Sequence, residues 1–353
     1  LEKTFKIIIR LFKIRKIKFL FIFVIFLFLN HLVLGSTYRH SLFNYTLIPI
    51  FQLICICLAI GHAIIQNISF YKILNYFRII CWFNILFGGY YLVIKGIEFH
   101  GNIEFSDNVG FNTNIFSMLC IQLVTFELFF LRKVSVFKIV ILLIPIYLSL
   151  LTGSRSGLII LLLIILYSVI RFKNKSLFFL FSLFAIFIFS YFDFSMITDR
   201  FYLISDNYNF SGTKNLLRYQ LIMRGAYMFL DYPLFGTGIG TFHQFRHTWP
   251  ELIPISRSNS FMDSHNLYIQ IFSETGLFGA ALFLLFFYFL IKSINNYKNS
   301  DIRIYIFLMS NIILYLSSGL FDHDFYRYYL LIPFLVAIIY SKYEMSLNSR
   351  NEG

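Results

Sequence analysis

Charge is what this chain has least of. Only 13% of its 353 residues are Asp, Glu, Lys or Arg, against 58% hydrophobic and 21% aromatic. A soluble globular domain carries about 25% charged residues, so the deficit excludes an ordinary water-facing surface and makes lipid the solvent. Cysteine is scarce as well. Cys55, Cys57, Cys81 and Cys120 all fall inside apolar stretches without metal-ligand spacing, and they read as small hydrophobes in packing. Cys55 and Cys57 lie about 200° apart on a helix, which makes a poor chelate. The chain has no HExxH, no CxxC pair and no DxD-type carboxylate cluster, so no metal site is expected; Asp322-His323-Asp324 is a short, isolated alternation. It also has no internal repeat and no low-complexity linker.

What charge there is carries a sign. The formal net charge is +13, but the basic residues are not gathered into a domain, which argues against nucleic acid as a partner. They stand in short clusters between apolar runs, as cytoplasmic loops against anionic headgroups do. The chain opens on Leu1 and a basic run from Lys3 to Lys18 that resembles the charged region of a signal peptide. The apolar stretch behind it is long enough to span and has no clear cleavage site, so it reads as a first anchor.

Apolar segments near spanning length lie at roughly 19–35, 42–65, 74–94, 112–131, 135–151, 157–170, 176–192, 266–291, 303–320 and 329–341, about ten in all. With the N-terminus inside, the inner loops receive Arg132 and Lys133, then Arg171, Lys173 and Lys175, then Lys292, Lys298 and Arg303. Most acids fall in the outer loops, and both termini are cytoplasmic. The expected fold is all-α, a polytopic transmembrane bundle. Residues 1–192 form an N-terminal bundle of about seven spans, 193–264 a large periplasmic loop, and 265–353 the C-terminal helices and cytoplasmic tail. The loop far exceeds the length at which loops are usually functional or disordered. Its helix-like stretch Leu216–Leu230 and its Trp249, Pro250 and Pro254 argue for a folded helical cap.

Several residues could carry chemistry. Arg155 sits in Thr152-Gly153-Ser154-Arg155-Ser156-Gly157 at the outer end of two apolar runs. Its planar fork of donors suits phosphate oxygens, and small residues around it let a ligand approach; the bland alternative is an arginine snorkelling to headgroups. Arg218 and Arg224 lie on the loop helix about 120° apart, so they do not share a face. For each, a solvated or headgroup-facing role is as reasonable as a functional one. Gly236-Thr237-Gly238-Ile239-Gly240 follows a helix and lacks a Walker lysine, so it reads as a structural turn rather than a nucleotide loop. His265, in Ser264-His265-Asn266 where the loop re-enters the membrane, is the best-placed general base. The other histidines are less well framed, although His323 is a plausible alternative. Glu274, about three turns into the following segment, must face the bundle interior, be paired or be protonated. Nine residues separate it from His265, so direct pairing needs a broken helix, which Gly276 and Gly279 would allow. Glu127, alone in its span, presents the same choice between bracing and catalysis.

Taken in order, these elements resemble the O-antigen ligase and polymerase family. The resemblance rests on Ser154-Arg155-Ser156-Gly157, a long outer loop, and Arg218 fifteen residues before Pro233 of Pro233-Leu234-Phe235-Gly236-Thr237-Gly238. His265-Asn266 then leads through Glu274-Thr275-Gly276-Leu277-Phe278-Gly279 into a helix. It covers residues 150–290 well and the flanking spans by hydropathy only. It implies transfer of glycan from an undecaprenyl-diphosphate carrier to an acceptor glycan, either the growing chain or lipid A-core, at the periplasmic face of a bacterial inner membrane. No cofactor, metal or nucleotide sugar is implied. Arg155 and Arg218 would hold the diphosphate and His265 would deprotonate the acceptor hydroxyl, with Glu274, Asn266 and Arg224 in support. The ligases are expected to have twelve spans, so about ten spans and a Phe/Ile-rich composition favour a polymerase. The competing class is a lipid-linked glycan transporter or flippase without chemistry. Such a protein is expected to show repeated halves and midplane charges; here the halves differ and the polar residues collect at the outer face.

Overall fold

The computed structural model describes residues 68–94, 113–130, 136–152, 154–172, 214–242 and 264–320, with Phe26, Leu29 and Gln66 besides. These form α1 (Phe70–Ile94), α2 (Thr113–Phe130), α3 (Val136–Leu151), α4 (Arg155–Phe172), α5 (Lys214–Asp231), α6 (Leu267–Ile294), the short α7 (Tyr297–Ser300) and α8 (Ile302–Gly319). No strand occurs among the described residues. Six of the expected apolar segments are helices within a few residues of their predicted ends, and so is the loop helix. The segments at 42–65, 176–192 and 329–341, and most of 19–35, lie outside the described residues, as do His243, His247 and His323.

Hydrocarbon explains why these stretches are helical. A chain without water to bond its amides must satisfy them within one segment. α6 and α8 are long and apolar enough to cross a membrane, and apolar runs within α2, α3 and α4 are somewhat shorter. α2 lies at the centre. Every side chain from Phe116 to Phe126 is buried, and the Phe126 and Phe129 rings each meet Phe307 of α8 at 5.0 Å. One buried side-chain hydrogen bond crosses this contact. Asn311 Nδ2 donates to Thr125 Oγ1 (3.2 Å) and to the Phe307 carbonyl (2.8 Å), while Thr125 donates to the Gln122 carbonyl (2.7 Å).

Cross-helix contacts fix which ends meet. The Arg171 guanidinium, in the last turn of α4, lies 5.9 Å from the Tyr305 ring in the first turn of α8. Tyr71, at the start of α1, donates to Asp301, the N-cap of α8, at 2.9 Å and stacks on Phe129 near the end of α2. At the other end Ser117 of α2 bonds Ser149 of α3 at 2.8 Å and closes on Gly157 of α4. Helices α1 to α4 therefore alternate in direction along the chain, and α8 runs antiparallel to both α2 and α4. One end of the bundle gathers Lys72, Arg171, Lys298 and Arg303, and the other carries the start of α4 and the end of α8.

Near the basic end, Arg78 Nε pairs with Glu127 Oε1 at 2.8 Å, Trp82 Nε1 donates to the same oxygen at 2.8 Å, and the guanidinium covers the Phe130 ring at 5.1 Å. Glu127 is thus a brace between α1 and α2. Glu127→Ala strands Arg78 on a helix face and should lower stability in detergent by on the order of 2 kcal/mol. The pair Arg78→Leu with Glu127→Leu should recover most of that loss; thermal unfolding of the three proteins checks both expectations.

Candidate functional site

α6 is two helices. Gly276 has φ 64° and ψ −166°, outside the helical region, and separates Leu267–Thr275 from Leu277–Ile294. A straight helix would put Tyr268 and Phe283 roughly 22 Å apart along its axis, yet their rings meet edge-on at 6.4 Å. The two halves fold back on one another. Phe287 stacks on Tyr315 of α8 at 5.5 Å, so Phe283 is level with the last turn of α8 and Gly276 stands about 10 Å beyond it. The segment expected as a single span at 266–291 is therefore corrected: only its second half runs alongside α8. Glu274 is not three turns down a spanning helix but near the apex of a helical hairpin.

A broken helix frees amides and carbonyls that must find partners. Here the turn after α5 supplies them. Thr237 N–H donates to the Ser273 carbonyl (3.0 Å) and Gly238 N–H to the Glu274 carbonyl (2.9 Å). In return Leu277 N–H donates to the Pro233 carbonyl (2.8 Å) and Phe278 N–H to the Leu234 carbonyl (3.1 Å). Pro233-Leu234-Phe235-Gly236-Thr237-Gly238 and Glu274-Thr275-Gly276-Leu277-Phe278-Gly279 are thus two halves of one backbone clasp. Gly236 and Gly276 both have positive φ, and a Cβ on either would strike backbone of the other segment. The Glu274 carboxylate, 5% exposed, accepts Phe242 N–H at 3.1 Å and holds the far end of the turn. Thr237 and Thr241 bond each other at 2.7 Å inside it.

α5 is laid against the first half of α6 by the same clasp. Gly225 leaves room only for Ile269 and the Phe242 ring, and Phe229 meets Phe272 edge-on at 5.5 Å. Arg224 is 1% exposed, so the solvated or headgroup-facing role left open for it does not hold. The α5 backbone is one continuous helix through Arg218 and Arg224, so their six-residue offset stands. The side chains of Arg155 and Arg218 lie outside what the structure describes.

His265 precedes α6 with φ 49°, a left-handed conformation uncommon for a side-chain-bearing residue. Both neighbours are held. Asn266 is the N-cap of α6, its Oδ1 accepting Tyr268 N–H (3.0 Å) and Ile269 N–H (3.1 Å). Its Nδ2 donates to the Leu320 carbonyl at the end of α8 (3.1 Å), and Gly319 packs on Leu267. The imidazole is half-buried. From Asn266 to Thr275 the helix is regular, which puts Glu274 roughly 13 Å along the axis from His265. The break that would have permitted direct pairing falls beyond Glu274, so Glu274 serves the clasp instead.

Arg155 is the first residue of α4, and Ser154 caps it. Ser154 Oγ accepts Gly157 N–H at 3.1 Å and lies 3.1 Å from Ser156 Oγ; Thr152 Oγ1 accepts Ser154 N–H at 3.2 Å. Gly157 is there because Ser117 leaves no room for a Cβ. Sixteen residues back from Arg171 on α4 and fifteen forward from Tyr305 on α8 lead to the same height, with Arg155 level with Leu320. Because Asn266 is bonded to Leu320, the Arg155 turn and the His265 turn share one end of the bundle.

Residues 140–284 match the model of the O-antigen ligase family. The chain is similar to that family over this stretch. The matched segment is under half of the 353 residues. It runs from inside α3 through the Arg155 turn, α5 and the clasp into the second half of α6, so it contains every site element described above except α8. The resemblance read from the motifs is borne out there, and the O-antigen ligase match supports a membrane enzyme of glycan transfer. No curated protein matches the chain.

The clasp gives a direct test. Gly276→Ala forces a side chain into a backbone region that only glycine adopts readily, against the Leu234 carbonyl. It should cost at least about 3 kcal/mol, near the upper end for single substitutions. Thermal unfolding and protease sensitivity around residues 233–242, compared with Gly89→Ala, check it: Gly89 faces only the movable Leu148 side chain, and its substitution should be mild.

Proposed function

We propose that the protein moves glycan from an undecaprenyl-diphosphate carrier onto an acceptor hydroxyl at the periplasmic face of the inner membrane. The observation that carries this is the O-antigen ligase match together with one end of the bundle holding both the Arg155 turn and the His265 turn. The opposite end gathers Lys72, Arg171, Lys298 and Arg303, which supports placing it in the cytoplasm.

In this scheme Arg155 and Arg218 bind the diphosphate. Negative charge develops on that leaving group as the anomeric bond breaks, and guanidinium forks stabilise it without a metal. His265 takes the proton of the acceptor hydroxyl as its oxygen attacks. A single displacement at the anomeric carbon inverts its configuration, and the carrier's own diphosphate bond supplies the driving force. Asn266 fixes the base to α8, Glu274 holds the clasp, and buried Arg224 anchors α5 so that Arg218 is carried on a fixed helix. Repeat-unit polymerisation is favoured over transfer to lipid A-core on span number and composition.

Complementation of a strain lacking the gene tests this. At matched membrane levels, His265→Ala, Arg155→Lys and Arg218→Lys should each lose the surface polysaccharide ladder and accumulate carrier-linked glycan, because a lysine point charge does not reproduce a bidentate fork. Single-repeat caps on the core indicate a polymerase; bare core with long carrier-linked chains indicates a ligase. Normal ladders from all three would sink the scheme and favour a transporter.

An imidazole base also fixes the sign of the pH dependence. It works only when neutral, so transfer by the reconstituted protein should rise with pH as the imidazole loses its proton and then level off. A rate that falls as pH rises would assign the proton transfer the other way.

A further inference from the structure

Gln270 has no place in the motifs, yet it is tied to the residue before His265. It closes the first turn of α6 and is 8% exposed, and its Oε1 accepts both Ser264 N–H (3.2 Å) and Ser264 Oγ–H (3.0 Å). Ser264 is fully buried. Its Oγ also accepts Asn266 N–H (3.2 Å) and lies 2.6 Å from the Asn266 carbonyl. One hydroxyl proton serves two acceptors, so Gln270 and the Asn266 carbonyl share it. Ser264 is thereby linked to α6 on one side and across His265 to Asn266 on the other.

His265 stands between these two anchored residues with φ 49°. Such a conformation is strained for a residue that bears a side chain and persists only where its surroundings over-determine it. Asn266 is secured by its own cap and by Leu320; Ser264 is secured by Gln270. Without the Gln270 oxygen, Ser264 keeps a buried N–H that has lost its acceptor, and the backbone gains by relaxing toward the extended region. That relaxation swings the imidazole away from the direction in which the left-handed backbone aims it.

We infer that Gln270 is a positioning residue for His265, holding Ser264 so that the imidazole is presented from a left-handed backbone to the acceptor hydroxyl. This rests on the base role proposed above. Gln270 does not touch the reacting atoms in this account; it acts through Ser264.

The experiment uses the full chain in nanodiscs, with carrier-linked glycan and core lipid extracted from the deletion strain, and follows release of undecaprenyl diphosphate. Gln270→Leu, close in volume but without the acceptor, should lower kcat about 30-fold or more while KM for the carrier-linked donor stays within about 2-fold. In a His265→Gly background the same change should add less than about 3-fold, since there is no imidazole left to aim. Added free imidazole should restore His265→Gly and the double variant to the same level, because a diffusing base needs no backbone support. Ser264→Ala, a smaller change, should repeat the kcat loss if Gln270→Leu folds poorly. Losses that multiply in the double variant, weaker imidazole rescue when Gln270 is also changed, or near-normal activity of both Gln270→Leu and Ser264→Ala would overturn the inference. If His265→Gly itself keeps normal activity, the base role fails and this inference falls with it. If His265→Gly is inactive and rescued while Gln270→Leu is normal, only the positioning role is lost.

Discussion

The site depends on four backbone hydrogen bonds. Breaking α6 at Gly276 exposes two carbonyls and two amides, and the turn at residues 233–238 bonds all four. Neither segment could hold its shape alone, because each would leave buried amides without partners. Their mutual satisfaction explains why glycine stands at both 236 and 276: each carries a left-handed φ, and each backbone passes too close to the other for a Cβ. The clasp also sets the structure around it. It folds α6 back so that His265 begins one half while the other half descends beside α8, and it brings α5 down onto Ile269 and Phe272.

The two ends of the bundle are held by different chemistry. At the basic end, side-chain contacts such as Tyr71 with Asp301 and Arg78 with Glu127 join helices directly. At the other end small residues and hydroxyls do the joining: Ser117 with Ser149, Gly157 against Ser117, Gly319 against Leu267. Small residues keep the helices close and leave the start of α4 and the end of α8 at one height. The Arg155 turn and the His265 turn therefore meet at one end of the bundle, where Asn266 is bonded to Leu320. Antiparallel packing of helices of similar length achieves this for Arg155 and His265 without a separate scaffold.

Much of this was legible in the residues. Hydropathy located the described helices because lipid leaves the backbone few other choices, and Leu216–Leu230 was recognisable as helix from composition alone. The order of the Arg155, Pro233, His265 and Glu274 motifs pointed to the family whose model matches residues 140–284. The illegible part was pairing. The glycines at 236, 238 and 240 marked a turn, and those at 276 and 279 permitted a break, but no local signal says that one segment's amides meet the other's carbonyls. For the same reason the sequence leaves Glu274 between bracing and catalysis without pointing to Phe242, and leaves Arg224 between solvent and function although it is almost fully enclosed. Gln270 gave no signal at all, since a lone glutamine one turn into an apolar helix resembles any other.

These gaps share a physical cause. Helix position follows from local transfer free energy, which is written residue by residue along the chain. Site geometry here follows from non-local backbone complementarity, in which the partner of Thr237 is Ser273, thirty-six residues away. A motif such as Pro-Leu-Phe-Gly-Thr-Gly then has a meaning that neither nucleotide binding nor simple flexibility supplies: it is one strand of a two-part joint. Residues outside such a joint can still depend on it. His265 lies at the start of the helix that the joint terminates, and Arg218 lies on the helix that the joint docks. A change at either glycine would therefore act on both groups together, without touching the chemistry of either.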